Sequence, residues 1–151
     1  MAPSTPPTGR YMIRSVMTRN YIGRSQREDR SLLPKRIVLL SDGVRPTEFV
    51  FNTSGREAKI TAGGSPTAAI DNKLYSVLLD TPPAQQWVVQ RVSESGPAQY
   101  IITTQDGSAA WVVSGQDPES QVSVLQSVRF DPSTAAPYPP RALWDIVPLD
   151  Y

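Results

Sequence analysis

Short apolar runs separated by prolines are the feature that most limits the folds open to this chain. The 151 residues include 15 prolines, about twice the ordinary share of ~5%. Most of them stand between apolar runs, as at Pro34, Pro46 and Pro118. Proline disrupts helices and central strands, and the runs themselves are rich in β-branched and aromatic residues. The sequence therefore predicts an all-β domain, either a sandwich or a barrel.

The predicted strands fall into a weak threefold repeat. Each third contains a first strand with Tyr or Ile, a second strand, a long apolar third strand and an aromatic-led fourth strand. The first strands are expected at 10–14, 58–61 and 99–103, the second at 19–23, 67–71 and 110–113, the third at 36–40, 73–79 and 121–125, and the fourth at 48–51, 87–89 and 144–146. Internal repetition of this kind constrains the fold more than any single match. It is typical of a β-trefoil, a pseudo-threefold barrel with a hairpin cap built from three four-strand repeats.

Composition removes several classes of function. The chain has no histidine and no cysteine, so it lacks the residues of zinc fingers, of thiol nucleophiles and of Ser-His or Cys-His catalytic pairs. Its 15 basic and 14 acidic residues give a net charge of +1, which offers no broad attraction to nucleic acid or to an anionic membrane. We expect a protein that is not an enzyme, needs no cofactor or metal and binds neither nucleic acid nor membrane.

One segment, residues 23–34, carries exposed basic side chains on this β-scaffold. Residues 23–36 hold five of the 15 basic residues, and residues 23–30 include no large apolar side chain. We expect Tyr21 and Ile22 to anchor its near end, and Leu32, Leu33 and Pro34 to anchor its far end. A loop held at both ends by a rigid scaffold suits the binding of a ligand.

Trypsin-like proteases accept Arg or Lys because a carboxylate lies at the base of their specificity pocket. An arginine on a preordered loop would reach that carboxylate with paired hydrogen bonds and little loss of entropy. From the residues alone Arg24, Arg27 and Arg30 are all candidates. The competing interpretation is a solvated connection, or a short helix capped by Ser25 in which Arg24 and Glu28 form a pair.

Three segments in order, GRYMIR (9–14), YIGR (21–24) and EDRSLLPK (28–35), followed by Trp87 and Trp144, resemble the mushroom serine protease inhibitors. The resemblance extends over residues 9–148. It implies a monomeric β-trefoil that inhibits trypsin-like serine proteases through substrate-like docking of the loop between its second and third strands. It also implies that Arg27 enters the specificity pocket, with Gln26 before it, Glu28 after the scissile bond, and Ser25 and Arg24 as further contacts.

Two other functions remain open on a fold of this kind. The Gln85-Gln86-Trp87 triplet occurs in carbohydrate-binding trefoils, although a tryptophan is more often part of the core. A cysteine protease inhibitor that uses other loops is the second alternative, with the turn residue Asn72 as a minor candidate.

The N-terminus has no basic start followed by an apolar core, so the sequence predicts no signal peptide. Together with the resemblance, this predicts a cytoplasmic protein. We expect residues 1–8 to be a disordered lead and residues 9–151 to form a single domain.

Overall fold

The computed structural model describes residues 5–79, 85–92, 98–126 and 138–149. Regular structure in these ranges consists of β-strands and one short 3-10 helix at Pro140–Ala142. The strands are β1 Gly9–Ser15, β2 Ile22–Arg24, β3 Lys35–Leu39, β4 Phe49–Ser54, β5 Glu57–Ala62, β6 Ser65–Ile70, β7 Lys73–Ser76, β8 Gln86–Arg91, β9 Tyr100–Thr104, β10 Ala109–Val113, β11 Val122–Gln126 and β12 Trp144–Pro148. Each of the twelve predicted strands overlaps one of these, which confirms the all-β prediction.

Six strands form a closed ring in which every neighbouring pair is antiparallel. The ring runs β1–β4–β5–β8–β9–β12 and returns to β1. The closing pair joins the first and last strands over five residues, from Tyr11 opposite Pro148 to Ser15 opposite Trp144. A sheet closed on itself has no free edge, so this part of the fold is a barrel.

The other six strands form three hairpins, β2–β3, β6–β7 and β10–β11. The second strands of these hairpins, β3, β7 and β11, lie next to one another. Strand β7 pairs with both β3 and β11, and Val38 of β3 forms a bridge with Gln121 beside β11. This meeting brings the first hairpin next to the last one. The connections of these two hairpins are therefore neighbours, although they are far apart in sequence.

Large aromatic side chains fill the core where the strands converge. Trp87, Trp111 and Trp144 are fully buried, as are Phe49 and Phe51. Trp111 packs edge-on against both other indoles, with ring centroids 5.3 Å from Trp87 and 6.5 Å from Trp144. Aromatic rings of this size bury about 150–250 Å² each and dominate the energetics of a core. Phe49, Trp87 and Trp144 each lie in the fourth strand of a third, as the sequence repeat predicts.

The described part of the expected N-terminal lead lies against the barrel. Thr5 is buried and its hydroxyl donates to the Val89 carbonyl at 2.7 Å. The Tyr11 hydroxyl donates to the Pro7 carbonyl at 2.6 Å. Residues 5–8 therefore differ from the expected disorder because they satisfy polar groups of neighbouring strands. Residues 1–4 lie outside the described residues, and the single-domain division at residue 9 stays a prediction.

Within the described ranges, no helix is long and apolar enough to cross a membrane.

Candidate functional site

The predicted basic segment is the connection of the first hairpin. Strand β2 ends at Arg24 and β3 begins at Lys35. The first two residues of the predicted segment 23–34 therefore belong to β2. We call residues 25–34 the β2–β3 loop. Its residues 26–30 are all exposed. The short capped helix considered for this segment does not form, because residues 25–34 contain only turns and bends.

The near end of the loop is held at Ser25, which is buried. Its hydroxyl donates to the carboxylate of Glu119, in the connection between β10 and β11. The same hydroxyl oxygen accepts the Arg27 N–H at 3.0 Å, and the Ser25 N–H donates to the Arg36 carbonyl at 3.1 Å. Of the predicted near anchor, Ile22 is buried and Tyr21 is half-buried, and Ser25 extends the anchor into the loop itself.

Gln26 and Arg27 occupy a turn that the Glu28 N–H closes onto the Ser25 carbonyl at 3.4 Å. This distance exceeds the usual 2.7–3.2 Å of an N–H···O hydrogen bond. The first half of the loop is thus turned rather than extended, and the backbone contact that closes the turn is weak.

The guanidinium of Arg24 is already paired within the protein. It binds both carboxylate oxygens of Glu28, at 2.8 and 3.1 Å, and approaches the Gly63 carbonyl at 3.4 Å. Paired hydrogen bonds from a guanidinium to a carboxylate are the strong form of this interaction. The predicted Arg24–Glu28 pair therefore exists, but on a turn instead of a helix.

Arg27 and Arg30 differ from Arg24. Both residues are exposed, and neither guanidinium has a hydrogen-bond or ion-pair partner among the described residues. Of the three arginines that the sequence offered, these two can reach an external carboxylate without first breaking an internal contact.

The far end of the loop is held by Lys35, which is only 4% exposed. Its ammonium donates to the Asp29 carboxylate at 2.7 Å, to the Asp29 carbonyl at 2.9 Å and to the Ser31 hydroxyl at 3.4 Å. The hydrogen bond from Lys35, followed by those from Ser31, holds the pKa of the Asp29 carboxyl well below its usual range. Three acceptors match the three donors of an ammonium group.

The prediction that leucines anchor this far end was wrong. Leu32 and Leu33 are 62% and 66% exposed, because the buried position is taken by the stem of Lys35. A signal for this was present in the sequence. Lys35, Ile37 and Leu39 alternate along β3, and residues two apart in a strand point to the same face, so Lys35 shares the inward side of β3.

Both anchors border one small cavity beneath the loop. This cavity has a volume of about 240 Å³, and its walls include Ser25, Asp29 and Lys35 together with Tyr75 from β7. The residue that sequence reasoning missed is Glu119. Nothing in its local sequence marks it, since its role depends on the meeting of the first and last hairpins.

The residues of the alternative functions lie in ordinary structural positions. Trp87 is fully buried, and its indole N–H donates to the Thr67 hydroxyl at 2.9 Å. The core interpretation of Trp87 is thereby confirmed, and its ring is closed to a sugar. Asp71 and Asn72 both have positive φ, 51° and 64°, as expected for the two central residues of a hairpin turn.

In the part of the chain that the structure describes, no cluster of three or more His, Cys, Asp or Glu side chains could hold a metal ion.

Sequence comparisons with known proteins identify one family, and structural comparisons show its fold more widely. The sequence model of the peptidase inhibitor I66 family matches residues 5–148. A serine protease inhibitor from Lentinula edodes is 32% identical over 145 residues, which cover 95% of this chain and 98% of the relative. A proteinase inhibitor from Coprinopsis cinerea has a solved structure that superposes with a TM-score of 0.85 at 26% identity, over 96% of this chain and all of the other. The designed threefold-symmetric protein ThreeFoil has the same overall fold, with a TM-score of 0.68 at 12% identity over 93% of this chain and 99% of its own.

Proposed function

We propose that this chain, which belongs to the peptidase inhibitor I66 family, inhibits trypsin-like serine proteases by placing Arg27 in their specificity pocket. The predicted kinship with mushroom protease inhibitors is confirmed by the family match and by the two fungal relatives. As a member of an inhibitor family the protein is not an enzyme. What we propose is that the target is a trypsin-like protease and that Arg27 is the residue that enters its specificity pocket.

The observation that carries the proposal is an unpaired, exposed arginine between two fixed points. Arg27 stands two residues after the buried Ser25 and two residues before Asp29, which Lys35 holds. A loop held on both sides loses little conformational entropy when it docks. The free guanidinium can then form paired, charge-assisted hydrogen bonds to a carboxylate in the pocket.

Substrate-like docking requires residues 26–28 to become more extended than they are in the free loop. The backbone contact that closes the turn, from the Glu28 N–H to the Ser25 carbonyl, is long at 3.4 Å, while the Ser25 hydroxyl accepts the Arg27 N–H at 3.0 Å. Opening the backbone contact therefore costs little, and the Ser25 hydroxyl still holds the start of the loop. The Glu28 carboxylate, which would follow the scissile bond, is paired with Arg24, so its charge does not repel the protease as a free acid would.

Arg30 is the competing candidate because it is also exposed and unpaired among the described residues. Its two neighbours, Asp29 and Ser31, are both bound by Lys35, and the Ser31 N–H donates to the Asp29 carboxylate at 2.9 Å, so extending the backbone at Arg30 for substrate-like docking would break several contacts. We therefore favour Arg27.

We also infer that the six-strand ring and its three hairpins make a β-trefoil. The support is the threefold pattern of pairings, in which every third supplies two ring strands and one hairpin, and the likeness to ThreeFoil. A monomeric state and a cytoplasmic location stay predictions from the sequence.

The test is a titration of trypsin with the purified protein, followed by mass spectrometry of the long-incubated mixture. We expect stoichiometric loss of activity, with any slow cut confined to the Arg27–Glu28 bond. Arg27→Glu should weaken inhibition by at least about a hundredfold, since it sets like charges against each other in the pocket. Arg30→Glu is the matched control, and it should inhibit nearly as well as the wild type.

Two results would contradict the proposal. Full trypsin activity at excess protein would exclude trypsin as the target, and assays against papain and a sugar array would then examine the two alternative functions. Normal inhibition by Arg27→Glu with loss of inhibition by Arg30→Glu would assign the pocket to Arg30.

A further inference from the structure

Three side-chain contacts surround the proposed reactive bond, between Arg27 and Glu28. On its N-terminal side the Glu119 carboxylate holds the Ser25 hydroxyl. On its C-terminal side the Lys35 ammonium holds the Asp29 carboxylate and carbonyl. Between them, the Arg24–Glu28 pair spans the bond itself, because its two members lie on opposite sides of it.

We infer that Glu119 and Lys35 are positioning residues that keep both sides of the Arg27–Glu28 bond in place after a protease has cut it, so that the cut protein stays bound as an inhibitor. This inference rests on the proposed function, because it concerns the fate of the same bond in the same complex. It adds that the protease does not consume the inhibitor as it would an ordinary substrate.

The chemistry of the cut explains why retention matters. Hydrolysis breaks the bond from the Arg27 carbonyl carbon to the Glu28 nitrogen. The oxygen of one water goes to that carbon and its two protons end on the nitrogen, giving a carboxylate and an ammonium group. The reverse reaction expels the same water and restores the bond. Both the reverse reaction and continued inhibition need the two new chain ends to stay close together, because held groups react as if at very high concentration.

Each new end would remain attached to the folded protein. The Arg27 end is two residues from Ser25, whose hydroxyl Glu119 holds and whose N–H is bound by Arg36. The Glu28 end is one residue from Asp29, which Lys35 holds at two atoms. The anchors come from β3 and from the β10–β11 connection, so cutting the loop does not disconnect either of them from the barrel.

The backbone of Glu119 gives independent support for a specific role. Its φ is 71°, a left-handed conformation that costs an L-residue free energy and that glycine adopts readily. Two backbone hydrogen bonds fix this position against β3, from the Glu119 N–H to the Leu39 carbonyl and from the Leu39 N–H to the Ser120 carbonyl. These contacts fix the backbone at Glu119, so its carboxylate is held where it accepts from the Ser25 hydroxyl.

This strain also supplies a variant that separates positioning from folding. Glu119→Gly removes the carboxylate but fits the left-handed backbone, so the barrel should melt near the wild-type temperature. Lys35→Met keeps an unbranched stem in the buried site and removes the three hydrogen bonds to the loop. Glu119→Gln retains an oxygen that can accept from Ser25 and should recover most of the wild-type behaviour. Lys59→Met, at an exposed position of β5, is the matched control for loss of a lysine.

Each variant is mixed with trypsin at a fixed ratio, and two quantities are measured. The first is the initial inhibition. The second is the rate at which cut inhibitor and free trypsin activity accumulate. We expect every variant to inhibit at first, because Arg27 is present throughout, with the two anchor variants somewhat weaker because their loops lose more conformational entropy on docking. Glu119→Gly and Lys35→Met should release active trypsin at least about tenfold faster than the wild type, given the strength of hydrogen bonds to charged groups. Lys59→Met should change that rate by less than about twofold.

The outcomes distinguish the inference from its premise. If the wild type does not inhibit trypsin, the proposed function fails and this inference fails with it. If the wild type inhibits but Glu119→Gly and Lys35→Met, with wild-type melting temperatures, release trypsin at the wild-type rate, the proposed function stands and the positioning role alone is overturned.

Discussion

Glu119 lies 94 residues after Ser25 in the sequence, yet its carboxylate accepts the hydrogen bond of the Ser25 hydroxyl. The loop of the first hairpin is thus fixed by the connection of the last one. This contact ties the geometry of the exposed arginines to the closure of the whole fold.

Exchanging the side chain at Arg27 should change which protease is inhibited. Arg27→Leu replaces the guanidinium by an apolar group that fits the hydrophobic slot of a chymotrypsin-like enzyme. We expect inhibition of trypsin to fall by at least about a hundredfold and inhibition of chymotrypsin to appear. Parallel titrations of both enzymes measure the switch. Arg30→Leu serves as the control, and a switch seen with this variant instead would place the specificity residue at position 30.

Arg24 should support the loop without entering the protease pocket. Arg24→Ala removes the paired hydrogen bonds to Glu28, so we expect trypsin to be inhibited at first and then to cut the loop faster than in the wild type. Mass spectrometry of timed samples measures the cut after Arg27. Immediate loss of inhibition, as severe as that of Arg27→Ala, would instead identify Arg24 as a direct contact of the pocket.

Gly23 is required by the close approach of Thr47 at the base of the loop. A Cβ atom at Gly23 would lie 2.1 Å from the Thr47 Oγ1 and 2.6 Å from its Cβ, and the same Oγ1 accepts the Arg24 N–H at 2.9 Å. Gly23→Ala should therefore lower the free energy of unfolding by about 1–3 kcal/mol, the usual effect of overpacking. Urea denaturation measures this.

Gly9 provides the comparison, because a Cβ there would have its nearest neighbour at an ordinary 3.6 Å. Gly9→Ala should shift the stability by no more than about 0.5 kcal/mol. Equal losses of unfolding free energy in Gly9→Ala and Gly23→Ala would show that the contact with Thr47 does not cause the destabilisation.

Asp29 should remain ionised at a pH that protonates ordinary aspartates. Its pKa is lowered from 3.8 chiefly by the hydrogen bond from Lys35. A lowered pKa in the folded state means that the contact contributes stability above pH 3.8 and loses it only as the pH falls through the lower value. NMR titration of the Asp29 carboxyl carbon measures the midpoint. Lys35→Met should move the midpoint towards 3.8, and a wild-type midpoint already at 3.8 would contradict the contact.

Trp87 should matter for stability and not for binding. The side chain is fully buried against Trp111 and donates to Thr67, so Trp87→Ala should cost about 3–5 kcal/mol of unfolding free energy. Trp87→Phe keeps a ring and should cost less. Denaturant melts measure both. Retention of the wild type on a sugar array, lost in Trp87→Phe at unchanged stability, would contradict this and revive the carbohydrate-binding alternative.

The strands were predictable because their signals are local. Apolar runs such as Lys73–Ser76 and Ala109–Val113 combine β-branched or aromatic residues with nearby turn residues, and a strand of a few residues needs little more. The exposed loop was predictable for the same reason, since a stretch of polar and charged residues cannot bury itself.

The means by which the loop is held could not be predicted in this way. Leu32 and Leu33 have the composition of an anchor, but the buried position went to Lys35, whose ammonium finds three acceptors in the loop. A partnered lysine can be buried, and the presence of partners is a tertiary fact. The contact from Glu119 depends on the pairing of β3 with β7 and of β7 with β11, which no short segment encodes.

The placement of β12 between β9 and β1 has a consequence for synthesis. Until Trp144–Pro148 has left the ribosome, the edges of β1 and β9 on which it pairs have no partner from this strand, and unpaired edges invite association with other chains. Contacts between distant segments also form slowly. The barrel therefore closes only after this last strand is available. We expect the nascent chain to be open to proteases until then, which pulse proteolysis during synthesis would measure.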